Sequence, residues 1–596
     1  MAHAATAADE VHYELRISNA AQHLAEVSAQ FPASNASTLN LQLPVWRTGR
    51  YQILPLANGL RQLTATGNDG RALSVRKTDK ASWLIEKAAG EAVTVRYELY
   101  ANELGQRTRH IDDSHAYLDA SAVWLYNGEQ RGNPVSVQLQ VPANWQSRSG
   151  MRAGDCNHCF VATNYDELVD SPIETGLHEF HSFVVDGKTI ELAIWGAGNH
   201  DGKQIVADLQ KLVATTGKLF GGYPFARYLF IVHATSGEGG ATEHVNSTVI
   251  QLSRWGFAPR KDYLKFIRTA THEFFHTWNV KAYRPAAMVP YDYQKENYSE
   301  LLWLAEGHTS YFDNLLTLRA GVQTRDEYLE EEASILDDYL HQPGRFFQSA
   351  LESSFDEWIQ PSGERARNAS VSIYSKGELL ALTMDLLLRQ QSKGKLGIED
   401  LHKQLWQHKR VEQGGYTSAD VKAILKSLSQ QARANFDWEQ FWQDYVAGTK
   451  ELPLAALLKD AGLQLRIDQG KDDKGQQAAW WGVKIKDGGA DQFAVVSEVE
   501  RDSPAWQAGL VANDQIVAID QLRVSAKDFA DRSAAVKSDS TVVTLFRRDQ
   551  LNTVTLKPVL QDKGKRKLKA LEDASSDQKQ LNSNWLGVPW PKPAKD

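Results

Sequence analysis

Between Lys261 and Val280 the apolar residues Leu264, Ile267, Phe274, Phe275 and Trp278 recur at helical spacing, and Arg284-Pro285 follows where such a helix has to end. Inside that pattern lies Thr271-His272-Glu273-Phe274-Phe275-His276. Residues four apart on a helix project from one face, a turn apart, so both imidazoles can reach a single zinc ion at about 2.0–2.1 Å. Glu273 is a carboxylate beside them, suited to take a proton from metal-activated water and pass it to a leaving amine, which is the chemistry of peptide hydrolysis. The competing reading is an ordinary helix with two locally satisfied histidines. A metal would need a third ligand from elsewhere in the chain.

Leu301-Leu-Trp-Leu-Ala-Glu306-Gly307-His308 is an apolar helical run interrupted by one acid. A set of two histidines and one glutamate leaves the fourth zinc position open for water, so Glu306 is the preferred third ligand. Glu300 competes without the Trp-Leu-x-Glu-Gly context, and His308 is read as lining the pocket or meeting a local hydrogen bond. Trp303-Leu-Ala-Glu306-Gly307 resembles the Trp-Leu-Asn-Glu-Gly segment of aminopeptidases in the thermolysin-like gluzincin group. Gly239-Gly240-Ala-Thr-Glu243-His244, just before a strand candidate, is similar to their Gly-x-Met-Glu-Asn segment. That likeness implies substrate binding by Gly240, Glu243 and His244, with Glu243 on the free α-amine, although His244 and Thr242 stand where the group has Asn and Met. Tyr374-Ser-Lys-Gly377 resembles their Tyr-x-Lys-Gly, whose tyrosine hydrogen-bonds the tetrahedral oxyanion. Asp313 stands where the group has an acid that steadies a zinc-bound histidine.

The closer resemblance is to the PDZ-containing glycyl aminopeptidases, carried by His272-Glu-Phe-Phe-His-Thr-Trp-Asn-Val-Lys281 and Arg284-Pro285. It covers most of the chain. It implies one catalytic zinc, peptide substrates with a free N-terminus, and a preference for small first residues such as Gly and Ala. An endopeptidase that recruits substrates through its PDZ domain, and a non-enzymatic PDZ scaffold, are the alternatives.

A chain of 596 residues is long for one core, and its patterning changes along its length. From Val11 to Trp195 the runs are short and alternating, which predicts a β-sandwich-like N-terminal domain over 8–198. Helical spacing then begins with Ile205, Leu209, Leu212 and Val213. Buried-strand candidates and long helical patterns follow, which with the resemblance indicates a thermolysin-like, mostly helical catalytic domain over 199–452. Trp480-Trp-Gly-Val-Lys-Ile and Ser503-Pro-Ala-Trp-Gln-Ala-Gly-Leu look like a PDZ domain over 460–560, in which the backbone of Trp481, Gly482 and Val483 would hold the carboxylate of a peptide C-terminus. Residues 561–596 read as a Lys- and Asp-rich tail whose Trp585-Leu-Gly-Val-Pro-Trp segment docks on the body. The fold class is multidomain α+β.

A net charge of −8 with dispersed Lys and Arg offers no basic face for nucleic acid, and no stretch approaches the ~20 apolar residues of a membrane span. The N-terminus lacks a basic and an apolar signal region, yet Ala2-His3-Ala4 resembles the small-residue end of one, so a periplasmic or secreted location is expected and a cytosolic one is the alternative. Cys156 and Cys159, with His158 between them, lack a second pair for a structural zinc site, and a disulfide or two plain thiols is the favoured reading.

Overall fold

The computed structural model describes residues 9–468, 475–489, 493–562 and 564–591, and the Ala2-His3-Ala4 segment lies outside the described residues. The chain divides into two compact units, one of Met1–Tyr298, Phe312–Val322 and Leu405–Tyr416, the other of Ser299–Tyr311, Gln323–Gln404 and Thr417–Asp596.

In the first unit, strands Val11–Asn19, Leu24–Ser34 and Glu91–Tyr100 run antiparallel at the heart of a seven-stranded sheet. Val11, Tyr13 and Leu15 are buried on one face, as are Val93, Val95, Tyr97 and Leu99, because successive strand residues point to opposite faces. Two four-stranded sheets complete this β-rich region, one of them holding His115–Leu118 against Ile173–Gly176. Cys156 and Cys159 form a disulfide in the turn between two paired strands. A metal role for the two thiols is thereby removed.

A five-stranded sheet follows, built from β1 (Glu179–Val185), β2 (Lys188–Trp195), β3 (Arg227–Thr235), β4 (Gly240–Glu243) and β5 (Ser247–Ser253), in the order β1-β2-β3-β5-β4. Parallel neighbours need a crossover, and helix α1 (Gly202–Phe220), capped by the Asp201 side chain and ended by left-handed Gly221, supplies it between β2 and β3. The pairing of Ile190 with Tyr228 carries β2 into this sheet, so the sheet crosses the boundary expected near residue 198. Helix α2 (Arg260–Phe275) stops short of the expected Val280, which has φ 106°, and the chain turns back on itself through Lys281 N–H to the His276 carbonyl. Below it Phe274 meets Tyr228 edge-on at 4.9 Å and Trp278 stacks on Phe220 at 4.6 Å, a rigid aromatic floor for the helix.

In the second unit, residues Trp303–Gly307 form a single wide π-turn that continues directly into helix α3 (His308–Arg319), whose later residues, from Phe312, belong to the first unit. Helix α4 (Gly363–Ala369) precedes α5 (Ile373–Ser392), which is buried along most of its length. The C-terminal sheet contains β6 (Val483–Asp487), β7 (Ala494–Val499), β8 (Gln515–Ile519), β9 (Thr541–Arg547) and β10 (Gln550–Leu556), with β6 at an edge and helix α6 (Phe529–Ala534) beside it. Val496, Ile516, Val543, Leu545 and Leu556 form its core. Within the segment expected as a tail, Lys565–Ala570 pairs with Leu463–Asp468, and helix α7 (Ser576–Leu586) follows. Trp585 is fully buried there, its indole N–H donating to Tyr311 Oη at 2.8 Å.

Candidate active site and metal centre

His272 and His276 leave α2 and its C-cap on the same side, as the four-residue spacing requires. Each ring is held from behind. His272 Nδ1 is 3.1 Å from Asp313 Oδ2, and His276 Nδ1 is 2.9 Å from the Asn279 carbonyl. A carbonyl and a carboxylate accept only, so in the neutral rings both Nδ1 atoms carry the proton and the Nε2 atoms are the unprotonated nitrogens. Those two Nε2 atoms face each other at 3.1 Å. Two imidazole nitrogens brought this close on one side of a helix are a donor pair that a metal ion can use.

Helix α3 brings the acid. Phe275 stacks on Phe312 at 4.7 Å, Arg268 Nε donates to Asp313 Oδ1 at 3.0 Å, and Thr271 pairs with Thr317, so α3 is fixed on α2 turn by turn. Glu306 lies about two turns earlier on the same continuous helix as Asp313, and its carboxylate and the two imidazoles offer ligand atoms within 4.8 Å of one another. Two other groups meet that distance, His110/Asp112/His115 and His115/Glu174/His233. They fit a cation poorly. Glu174 receives a histidine on each oxygen, and Asp112 Oδ1 is taken up by Ser114 and the His115 N–H.

Tyr374 stands near the start of α5, 39% exposed. One turn further on, Gly377 crosses Gly307 so closely that a Cβ on Gly307 would lie 2.3 Å from Gly377 Cα. The two glycines therefore bring the first turn of α5 against the π-turn that carries Glu306. Lys376, next but one to Tyr374, is buried and donates to Tyr339 Oη, and burial lowers its ammonium to about 8.

Glu243 ends the edge strand β4 and is 4% exposed, with Thr248 opposite it. Gly240 opens the strand at φ 118°. His244 is wholly buried at 3.4 Å from Asp170, and burial is the main cause that lowers its pKa. Asp170 also accepts from Lys281 Nζ and from the Val245 N–H, both at 2.7 Å. Burial alone would raise its pKa, but the Lys281 ammonium and His244 hold it well below the usual carboxylate range. Asp170, Arg268 and the Gln106–Arg107 pair are neighbours of the site that sequence reasoning did not single out; Lys281 lay in the quoted motif without a role.

In the C-terminal domain a groove runs between β6 and α6, lined by Trp481, Gly482, Val483 and Phe529, with Arg367 among its walls. Helix α4 is tied to that domain, since Asn368 donates to the Val499 carbonyl at 2.7 Å and accepts from the Arg501 N–H at 2.8 Å.

Comparison with known proteins agrees with this layout. Residues 12–177 match the Peptidase M61 N-terminal domain, 265–380 the M61 glycyl aminopeptidase family and 495–548 the PDZ domain. No curated protein matches the chain. Among solved structures, an aminopeptidase N family protein from Idiomarina loihiensis is 30% identical, with 97% of this chain and 100% of that one covered and a TM-score of 0.86. An M1 zinc metallopeptidase from Deinococcus radiodurans is 14% identical over 75% of this chain and 95% of its own, with a TM-score of 0.46. The family matches and the full-length likeness say the same thing: the chain belongs to the M61 glycyl aminopeptidases and carries a PDZ domain.

Proposed function

We propose that the chain removes small N-terminal residues, glycine and alanine, from peptides by means of metal-activated water, with His272, His276 and Glu306 as the zinc ligands. The observation that carries this reading is that both Nδ1 atoms are engaged from behind while the two imidazoles and the Glu306 carboxylate offer ligand atoms within 4.8 Å of one another. When bound, zinc would supply a Lewis acid for the scissile carbonyl and would lower the pKa of the attacking water. Glu273, 7% exposed beside His272, takes the proton of that water and hands it to the departing amine. Tyr374 donates from its hydroxyl to the carbonyl oxygen as negative charge develops there. Asp313 and the Asn279 carbonyl keep both imidazoles in the tautomer with the proton on Nδ1, so that Nε2 is the nitrogen that can donate its lone pair.

Glu243 anchors the α-ammonium of the substrate, with Gly240 and His244 in the same binding segment, because a carboxylate is the natural partner of an ammonium. The family description supports the preference for glycine. The groove beside Trp481, Gly482 and Val483 is read as a slot for a peptide C-terminus, supported by β6 being an edge strand. The disulfide supports a periplasmic or secreted location, which fractionation of cells making the protein tests; a wholly cytosolic protein would overturn it.

The test is hydrolysis of Gly- and Ala-p-nitroanilide against their N-acetylated forms, with and without a chelator and with zinc restored. Metal-dependent cleavage of the free amines alone is expected. Equal cleavage of the blocked forms would replace the aminopeptidase by an endopeptidase.

A further inference from the structure

We propose that Arg107, with Gln106, clasps the loop Trp46–Tyr51 over Glu243 and so sets the size of the N-terminal residue the enzyme accepts. The inference rests on the reading of Glu243 as the amine anchor and adds what limits the space around it.

The loop lies directly on the carboxylate. Gly49 has φ +75°, and a Cβ there would stand 2.1 Å from Glu243 Oε2 and 2.9 Å from Oε1. Only glycine combines that backbone with that contact. Within the loop the Trp46 indole N–H donates to the Arg50 carbonyl, which stiffens it. Arg107 then fastens it across the strand: Nη2 donates to the Gly49 carbonyl at 2.8 Å and to the Ala241 carbonyl at 3.3 Å. Its Nη1 donates to Gln106 Oε1 at 2.6 Å, and Gln106 Nε2 donates to the Gly239 carbonyl at 2.5 Å. The start of β4, on either side of Gly240, is tied to one dipeptide, and a Cβ on Gly240 would lie 2.6 Å from Gln106 Nε2.

An ammonium hydrogen-bonded to Glu243 would sit about 2.8 Å from a carboxylate oxygen, so the Cα that bears it, and the first side chain, would start close to the loop packed on that carboxylate. Hydrogen or methyl fits there. A longer side chain has to displace the loop, and displacement breaks the charge-assisted bonds of Arg107. The guanidinium is a positioning residue, acting on selectivity through the loop it holds.

The experiment compares kcat/KM for Ala- and Leu-p-nitroanilide in the wild type, Arg107→Ala, Arg107→Lys and Gly49→Ala. Arg107→Ala is expected to raise the Leu-to-Ala ratio by about 10-fold or more, chiefly through KM for Leu, the scale on which pockets discriminate by methylenes. Arg107→Lys keeps the charge without the two-pronged bond and is expected to shift the ratio the same way by a smaller factor; it carries the test should Arg107→Ala fail to fold. The ratio is taken within one preparation and is independent of the active fraction. Gly49→Ala is expected to weaken both substrates alike while zinc content stays at one per chain. A Leu-to-Ala ratio within about twofold of wild type in the folded Arg107 variants, with the wild type active on free amines, would overturn the clasp and leave the aminopeptidase reading intact. A wild type that releases no N-terminal residue from any free-amine substrate would overturn that reading itself, and the clasp with it.

Discussion

At the scale of single residues, the proposed mechanism separates groups that would hold metal from groups that would move protons. Glu273→Gln keeps the shape of the side chain and both imidazoles, so zinc should remain bound while kcat falls by about 10²–10⁴, the usual contribution of a positioned acid–base. His276→Ala should lose the metal together with the activity. Metal analysis beside single-turnover rates checks the pair, and a Glu273→Gln enzyme with near-normal turnover would sink the mechanism. Asp313 makes a different prediction. It fixes the His272 tautomer while Arg268 fixes it in turn, so Asp313→Asn should weaken zinc retention by about 10–100-fold in a chelator competition. Unchanged retention would reduce Asp313 to a packing role. These residues were legible in the sequence because their relations are local: His272, Glu273 and His276 share one helical turn, and Glu306 and Asp313 share another helix. Arg107 and Asp170 were not, since they meet Gly49 and Lys281 across 58 and 111 residues with no periodicity to announce it.

At the scale of elements, the crossing of Gly307 and Gly377 decides how near α5 comes to the π-turn that carries Glu306. A methyl on Gly307 would meet three backbone atoms, at 2.3 Å, 2.5 Å and 2.7 Å, and backbone cannot swing aside as a side chain can. Gly307→Ala should therefore destabilise by about 1–3 kcal/mol, the cost of overpacking, and should lower zinc occupancy because Glu306 is the next residue. Thermal midpoint and bound metal read both effects; a variant that melts with the wild type and keeps its zinc would show that the helices part freely. The sequence placed the acid on a helix, but it did not signal the π-turn, because Trp-Leu-Ala-Glu-Gly reads equally well as α-helix and the wider turn depends on what packs against it. It likewise ran α2 on to Val280, where aromatic residues that look helical by spacing instead fill the floor under the turn, as Trp278 does against Phe220. The last segment reads as a charged tail that docks through Trp585; its charges lie on a strand paired with Leu463–Asp468, which their spacing does not announce, and Trp585 closes a buried bond to Tyr311.

At the scale of the whole molecule, the strands His115–Leu118 and Ile173–Gly176 of the N-terminal region meet β3 of the catalytic sheet through a buried histidine–carboxylate cluster. Glu174 is wholly buried and accepts from His115 Nδ1 on one oxygen and His233 Nε2 on the other, each at 3.0 Å. Burial alone would raise its pKa, but the two histidines outweigh it and hold the carboxyl down at about 2, against 4.5 for the free side chain. His110, whose Nδ1 is 3.0 Å from His115 Nε2, is lowered to about 4 from 6.5, first by burial and then by its histidine neighbours. Both shifts act in one direction. Below pH 6.5 the unfolded chain protonates its counterpart of His110 while the folded chain does not until about pH 4, so stability falls across that window. Below pH 4.5 the unfolded chain likewise protonates its counterpart of Glu174, and the stability from the folded carboxylate is lost as pH falls towards 2. Glu174 alone is worth about 3 kcal/mol at neutral pH on that basis. Thermal midpoints from pH 8 to pH 3 are expected to be level above about 6.5 and to decline below it. Glu174→Gln removes the charge without the shape, so its midpoint should lie well below wild type at pH 7 and approach it on acidification below pH 4.5. A gap between the two proteins that stays constant across the whole range would mean that the carboxylate charge does not join these layers.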